Sequence, residues 1–209
     1  DGGTQVVSAS GDKQILRHGV QVTGAEKAHE GAIVDMRASA DGGRIVTSGA
    51  DKQVVVWDLR GGKKLQTLAG QATPAKATAI DGSGKIVFAA DEAQLRVWNG
   101  EDGKPLGAFP QPAAITSLAV SRDGERVFVA TADNVIRQGR VKVVDGKATW
   151  ESQAEFKGPA AAAARLALTP DERWLVSAHA DQGVRYWLAP SGAPRFVWDE
   201  SKRPVYGVA

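Results

Sequence analysis

Cysteine is absent from all 209 residues. That excludes disulfides, thiol nucleophiles and cysteine-ligated metal. It leaves the compartment open, since a chain of this length can build a core without covalent staples. Histidine occurs three times, at positions 18, 29 and 179, and no two have the spacing of a metal-ligand pair. No apolar run approaches ~18 residues, so no membrane-spanning helix is expected. An excess of one charge is missing too. The 26 basic and 24 acidic residues leave a net charge of +2 without stripes or runs, so the pI near 8.9 does not point to nucleic acid. No Gly-x-Ser-x-Gly sequence suggests a hydrolase elbow. Asp41-Gly42-Gly43 and Arg60-Gly61-Gly62 join strand to strand, so no helix N-terminus stands ready to hold phosphate. No metal and no cofactor are expected. The chain opens on Asp rather than Met, shows no signal-like segment and stops in an apolar run. The expectation is a soluble, processed or cut-down piece of a longer polypeptide, of unknown compartment.

What is present is a repeat. A strand-like run leads to an Asp-Gly turn, a second run, an Ala/Gly-Asp turn and a third run. The first turns begin at Asp1-Gly2, Asp41-Gly42, Ser83-Gly84, Asp123-Gly124 and Asp171-Glu172, spaced by 40, 42, 40 and 48 residues. In the clearest copy, Asp41-Gly42-Gly43 separates the short strand 32–38 from Arg44 to Ser48. Gly49 to Lys52 then turns into Val54-Val55-Val56-Trp57, and Arg60 to Lys63 turns into Leu65 to Leu68. Glycine suits the positive φ of tight hairpin turns, and β-branched and aromatic residues favour strands. Four short antiparallel strands per ~40 residues describe a propeller blade. Helical periodicity is missing throughout, including the Ala-rich run 160–164 that follows Pro159.

The blades are expected at 29–68, 70–109, 111–156 and 158–198 of one domain spanning 1–209. A fifth is split between 203–209 and 1–27. The third copy carries extra residues around 139–150, which implies third and fourth strands that are longer or bulged. The wrap-around spacing from Asp181 to Asp12 is 40, close to the others. The predicted fold is therefore all-β, a small propeller of about five four-stranded blades. Pairing of the C-terminal strand with the N-terminal blade would close it, bringing the termini within roughly 10–12 Å. A monomer follows; the rival is a ring built from several chains.

His29, the Asp41-Gly42 turn, Thr47, Asp51 and Trp57-Asp58 resemble the WD40 repeat family, and the likeness extends along essentially the whole chain. The resemblance implies a hydrogen-bonded network of Asp51, His29, Thr47 and Trp57 in the first repeat. A buried indole N–H and imidazole both need partners. Other copies depart from the pattern. Gln71 takes the His position in repeat two, and nothing obvious takes it in repeats three and four. His18 replaces the Trp in the split copy and Gly139 replaces it in repeat three. Only the first repeat is expected to complete the network.

The turn aspartates Asp1, Asp41, Asp123 and Asp171 are explained by turn chemistry, and Ser8, Thr47 and Ser177 by the repeat. Trp174 is expected in the core, whereas Trp150 and Trp198 in outer strands are expected to be partly exposed and to mark a contact with other domains. The innermost charged candidates are Asp35, Arg37, Lys76 and Arg165, a mostly basic set. No catalytic residue is expected. The reading is a non-catalytic platform for a protein or peptide partner or neighbouring domains. Its candidate contact loops carry Lys13, Lys52, Glu92, Asn134, Lys157, His179, Gln182 and Arg203. The alternatives are a hydrolase- or lactonase-like propeller enzyme with a site in the central channel, and a structural or engineered module with no ligand of its own.

Overall fold

The computed structural model describes residues 6–9, 14–18, 25–157, 161–181, 183–191 and 193–198, all as strands and their connections without a helix. A three-stranded sheet comprises β1 (Val6–Ala9), β2 (Gln14–His18) and β3 (Ala25–Lys27). Four sheets have four strands each. The first contains β4 (Ile33–Ala38), β5 (Arg44–Gly49), β6 (Val54–Asp58) and β7 (Lys63–Leu68). The second contains β8 (Ala77–Ile80), β9 (Ile86–Asp91), β10 (Gln94–Asn99) and β11 (Pro105–Pro110). The third contains β12 (Ile115–Val120), β13 (Arg126–Thr131), β14 (Ile136–Val144) and β15 (Lys147–Phe156). The fourth contains β16 (Ala163–Leu168), β17 (Trp174–His179), β18 (Val184–Leu188) and β19 (Ala193–Trp198). Each is an antiparallel meander in sequence order, the pattern of a WD40 blade.

Sequence composition sorts the strands. In the first sheet β6 is buried along nearly its whole length, so it reads as a continuous apolar run rather than an alternating one. Val46, Val54, Val55 and Val56 are fully buried. Outer strands such as β7 and β15 are largely exposed, with charges at Lys63, Lys64, Glu151 and Glu155. These charges blunt the free edges against strand addition.

The sheets stack face to face. Val46, Val56 and Leu68 of the first meet Ile80, Val87 and Trp98 of the second. Phe88, Leu95 and Val97 meet Leu118, Val129 and Val141 of the third. Phe128 and Phe156 meet Leu175 and Trp187 of the fourth, with Phe156 edge-on to both Phe128 and Trp187 at 5.9 and 5.7 Å.

The extra residues of the third copy lengthen β14 and β15 into a nine- and ten-residue hairpin. Trp150, on this hairpin, is half-buried, so part of its ring is exposed. Its indole lies where a Cβ on Gly139 would stand, and it packs against Phe109 at 6.2 Å. The third sheet thus fills from its outer strand the space that its missing Trp leaves. Trp174, expected in the core, is only half-buried at the start of β17.

Candidate functional site

Every sheet has two ends. At one lie the β4–β5 type of turns, Asp-Gly in most copies. At the other lie the β5–β6 type and the connections between sheets; this is the turn face. The polar chemistry concentrates there.

In the first sheet, His29 sits just before β4 and is buried. Its Nδ1 is 3.0 and 3.1 Å from the Asp51 carboxylate oxygens, and its Nε2 is 2.8 Å from Thr47 Oγ1. Trp57 Nε1 donates to the same hydroxyl at 3.0 Å. These partners assign the proton to Nδ1: the carboxylate accepts from it, and Nε2 accepts from the hydroxyl. Asp51 also accepts from the amides of Glu30 and Gln53. Burial works against the Asp51 charge, but the Gln53 and Glu30 amides and the His29 ring outweigh it and hold its pKa below the usual carboxylate range.

The fourth sheet builds the imidazole–hydroxyl–indole part of this unit from another position, without the Asp, so among the described residues only the first sheet completes the four-member network. His179 ends β17 and is fully buried. Its Nδ1 donates to the Ala161 carbonyl at 2.8 Å and its Nε2 accepts from Ser177 Oγ at 2.7 Å. Trp187 Nε1 donates to Ser177 Oγ at 2.8 Å. Register places His179 opposite Ala163 as Gly49 stands opposite Ile33. A Cβ on Gly49 would collide with His29 Nδ1 and Asp51 Oδ1. Gly49 is therefore the imprint of His29; in the fourth sheet the residue at that point supplies the ring itself. His179 is thus not a partner-contact residue.

The turn aspartates then find new partners. Arg185 forks onto Asp181 at 3.0 and 2.6 Å, and Arg137 onto Asp133 at 3.1 and 2.6 Å. In the second sheet the aspartate is Asp91 at the end of β9, in the register position of Gly49; Arg96 donates to it at 2.8 Å and Ala72 N–H at 2.9 Å. The three arginines occupy one position of the third strand, where the first sheet has Val55. Where His29 serves the Asp, no Arg is needed; where it is missing, Arg takes over. Arg137 above all, with Thr131, holds the Asp133 pKa down to about 2. These arginines were missed, although the Asp-x-x-x-Arg spacing of Asp133/Arg137 and Asp181/Arg185 was there to read.

Of the candidate contact residues, Lys52 and Glu92 are exposed and Asn134 is half-buried at the tips of the turns. All three have left-handed backbone, with φ of 66°, 53° and 64°. Lys157 is exposed and pairs with Glu155 at 2.6 Å. Lys13, Gln182 and Arg203 lie outside the described residues. Of the innermost charges, Asp35 is buried and accepts from Arg165 at 3.0 Å, Arg37 is half-buried and Lys76 is exposed. Among the described residues no three His, Cys, Asp or Glu side chains converge as metal ligands. No helix there is long and apolar enough to cross a membrane.

Four-stranded meanders tied by Asp, His, hydroxyl and Trp define a repeat-built β scaffold of the WD40 kind. The model of the WD domain, G-beta repeat matches residues 21–58, 103–138 and 150–187, more than half of the chain, and the chain belongs to this family. It is 30% identical over 129 residues to the small ribosomal subunit protein RACK1 of Caenorhabditis elegans, covering 55% of this chain and 38% of that one. It is 25% identical over 141 residues to the pre-mRNA-splicing factor cwf17 of Schizosaccharomyces pombe, covering 65% and 42%. It is 24% identical over 163 residues to the autophagy-related protein 16 of Arabidopsis thaliana, covering 77% and 31%. The chain spans less than half the length of these relatives.

Proposed function

We propose that this chain is a non-catalytic scaffold that docks a protein or peptide partner, or a neighbouring domain, across its turn face. One observation carries this reading. At the turn face the left-handed turn position holds Lys52, Glu92 and Asn134. At the opposite end the left-handed position holds Gly42, Gly84 and Gly124. Glycine accepts such a backbone freely, while other residues are strained there by about 1–2 kcal/mol. Strain of that kind gathers where side chains serve function. Glu172 and Asp145 are exceptions at the glycine end; Glu172 has a structural reason, since its carboxylate accepts from Arg122 N–H at 2.5 Å and from Arg126 at 2.6 Å. The relatives are named for a ribosomal subunit, pre-mRNA splicing and autophagy. One repeat in such different settings fits a module whose loops, not its fold, set the partner. An enzyme would need several acids or histidines on the inner strands. Asp35 is already committed to Thr78 and Arg165.

A photo-crosslinking side chain at position 52 or 92 should capture protein adducts, and one at position 149 of the outer strand should not. Adducts confined to position 149 would refute the docking face.

The reading includes a closed ring of five blades. The three-stranded sheet β1–β3 lacks an inner strand among the described residues, and 203–209 has the repeat phase to supply it. Deleting 203–209 should unfold or aggregate the monomer, because a bare inner edge invites association. An equally stable soluble monomer would refute closure.

A further inference from the structure

The inner strands β4, β8, β12 and β16 border an open cavity of about 300 Å³ at the glycine-turn end, opposite the turn face. That volume is at the small end of ligand sites. Among the described residues its side-chain lining is aliphatic, with Ile80, Leu118, Val120, Leu166 and Leu168 among it, except for the guanidinium of Arg37.

The charges around Arg37 do not balance. Asp35 Oδ2 accepts from the Thr78 amide at 2.7 Å and the Thr78 hydroxyl at 3.0 Å, and Oδ1 accepts from Arg165 at 3.0 Å. Arg37 lies 3.7 Å from that same Oδ1. Its one hydrogen bond among the described residues is a 3.4 Å contact with the Met36 carbonyl. Two cations therefore share one carboxylate, and most of the five donors of Arg37 are unused. Burial above all pulls the Arg37 pKa below its ordinary value; Asp35 opposes this and Arg165 adds to it. Arginine does not give up its proton in proteins, so an added anion is what relieves the imbalance.

We propose that this cavity binds a small monocarboxylate with a short aliphatic tail. The carboxylate forks onto Arg37, matching the planar guanidinium with two parallel hydrogen bonds. The tail lies against Ile80, Leu118 and Leu166. A single negative charge equals the surplus of one among the described residues. A phosphate dianion would bring a second charge for which the described lining offers no second cation. The site is independent of docking on the turn face, which lies at the other end of the inner strands.

The test uses hexanoate as probe, titrated into the isotope-labelled full chain at low chloride, with hexanol and inorganic phosphate as comparisons. Saturable amide shifts are expected at 37–38, 79–80, 118–120 and 166–168. Hexanol and phosphate should each bind about tenfold or more weakly, the usual share of a charge-assisted hydrogen-bond pair. Arg37→Met should weaken hexanoate to the level of hexanol, with the far-ultraviolet spectrum and Tm kept near the parent values. Arg37→Lys should fall between, keeping the charge and losing the fork. Absence of saturable hexanoate shifts, phosphate binding as tight as hexanoate, or unchanged binding in Arg37→Met would each overturn the proposal. Should Arg37→Met fail to fold, the hexanoate-to-hexanol ratio in the parent and in Arg37→Lys decides it.

Discussion

The first and fourth sheets place an imidazole in the same spot from different points of the chain. In the first, His29 arrives from the segment before the inner strand and needs the glycine at 49 to make room. In the fourth, His179 stands at that glycine's own position and reaches Ser177 from within the strand. Both rings present Nε2 to a hydroxyl that also receives a tryptophan N–H. What the fold conserves between the two is the linkage from imidazole to hydroxyl to indole. The donor's partner differs: a carboxylate for His29, a main-chain carbonyl for His179.

The largest way to break either unit is to remove its indole. Trp57→Ala and Trp187→Ala should each cost about 3–5 kcal/mol, the loss for a buried large aromatic. Both rings are nearly inaccessible and both N–H groups are bonded within the core. Trp150→Ala should cost distinctly less, since its ring is half-buried over Gly139. Urea midpoints of the three variants check this. A Trp150 loss equal to that of Trp57 would mean that the borrowed indole serves as fully as the native one.

Next in size is a transplant between the sheets. Gly49→Ala alone should destabilise by about 1–3 kcal/mol through overpacking against the His29 ring. His29→Ala alone leaves the Thr47 hydroxyl without its acceptor and Asp51 without its ring partner. Adding Gly49→His to His29→Ala should restore part of that loss by rebuilding the arrangement of the fourth sheet. Gly49 has no left-handed backbone to forbid a side chain. If the double variant is no more stable than His29→Ala, the two positions are not interchangeable.

Acidity separates the sheets further. Burial foremost, with the Arg185 charge adding, lowers the His179 pKa below its ordinary 6.5; the Ala161 carbonyl and Asp181 oppose this. The unfolded chain then binds its proton more readily than the folded one. Stability is fully present above about pH 6.5 and is lost as pH falls from there through the folded value. The urea midpoint of the parent should drop between about pH 7.5 and 5.5, and His179→Gln should flatten that drop. Lower down, Asp133, held near 2 chiefly by Arg137, contributes stability above its ordinary 3.8 that is lost as pH falls toward 2. Because the pair is partly exposed, the loss removed by Asp133→Asn should not exceed about 1 kcal/mol. A parent profile that is flat from pH 7.5 to 5.5 would count against the role given to His179.

Much of the strand layout was legible in the residues. Turn signals at a steady spacing, with a Val-Val-Val-Trp type of run between them, locate strands because both are local properties of the chain. The first network was legible for the same reason: its four members sit at the family's spacing. What stayed hidden are cases where one place in space is filled from another place in sequence. His179 replaces a histidine expected some twenty residues earlier. Trp150 covers Gly139 from the neighbouring strand. Arg96, Arg137 and Arg185 substitute for a histidine by reaching along the sheet. Each depends on side-chain length and direction across strands, which spacing along one repeat does not encode. Lys52, Glu92 and Asn134 were legible as turn residues, but their backbone strain was not.

The smallest expected effect compares the two ends of the sheets. Lys52 and Gly42 share a φ of 66°, one on the turn face and one at the opposite end. A Cβ on Gly42 would meet nothing within 4 Å, so only the backbone preference opposes a side chain there. Gly42→Ala should therefore destabilise by about 1 kcal/mol, the left-handed strain less the entropy glycine loses on folding. At Lys52 the same terms act in reverse, and Lys52→Gly should leave stability unchanged or raise it by up to about 1 kcal/mol. Gly84→Ala is the control: its Cβ would lie 2.6 Å from Arg44 Cδ, so steric conflict adds to the strain and the cost should exceed that at Gly42. Denaturant midpoints for the three variants measure this order. If Lys52→Gly destabilises the chain, the lysine is held there by folding rather than at folding's expense, and the strain argument for the turn face as a docking surface fails. If it stabilises while partner capture at the turn face is lost, the side chain is kept at a cost that stability alone does not explain.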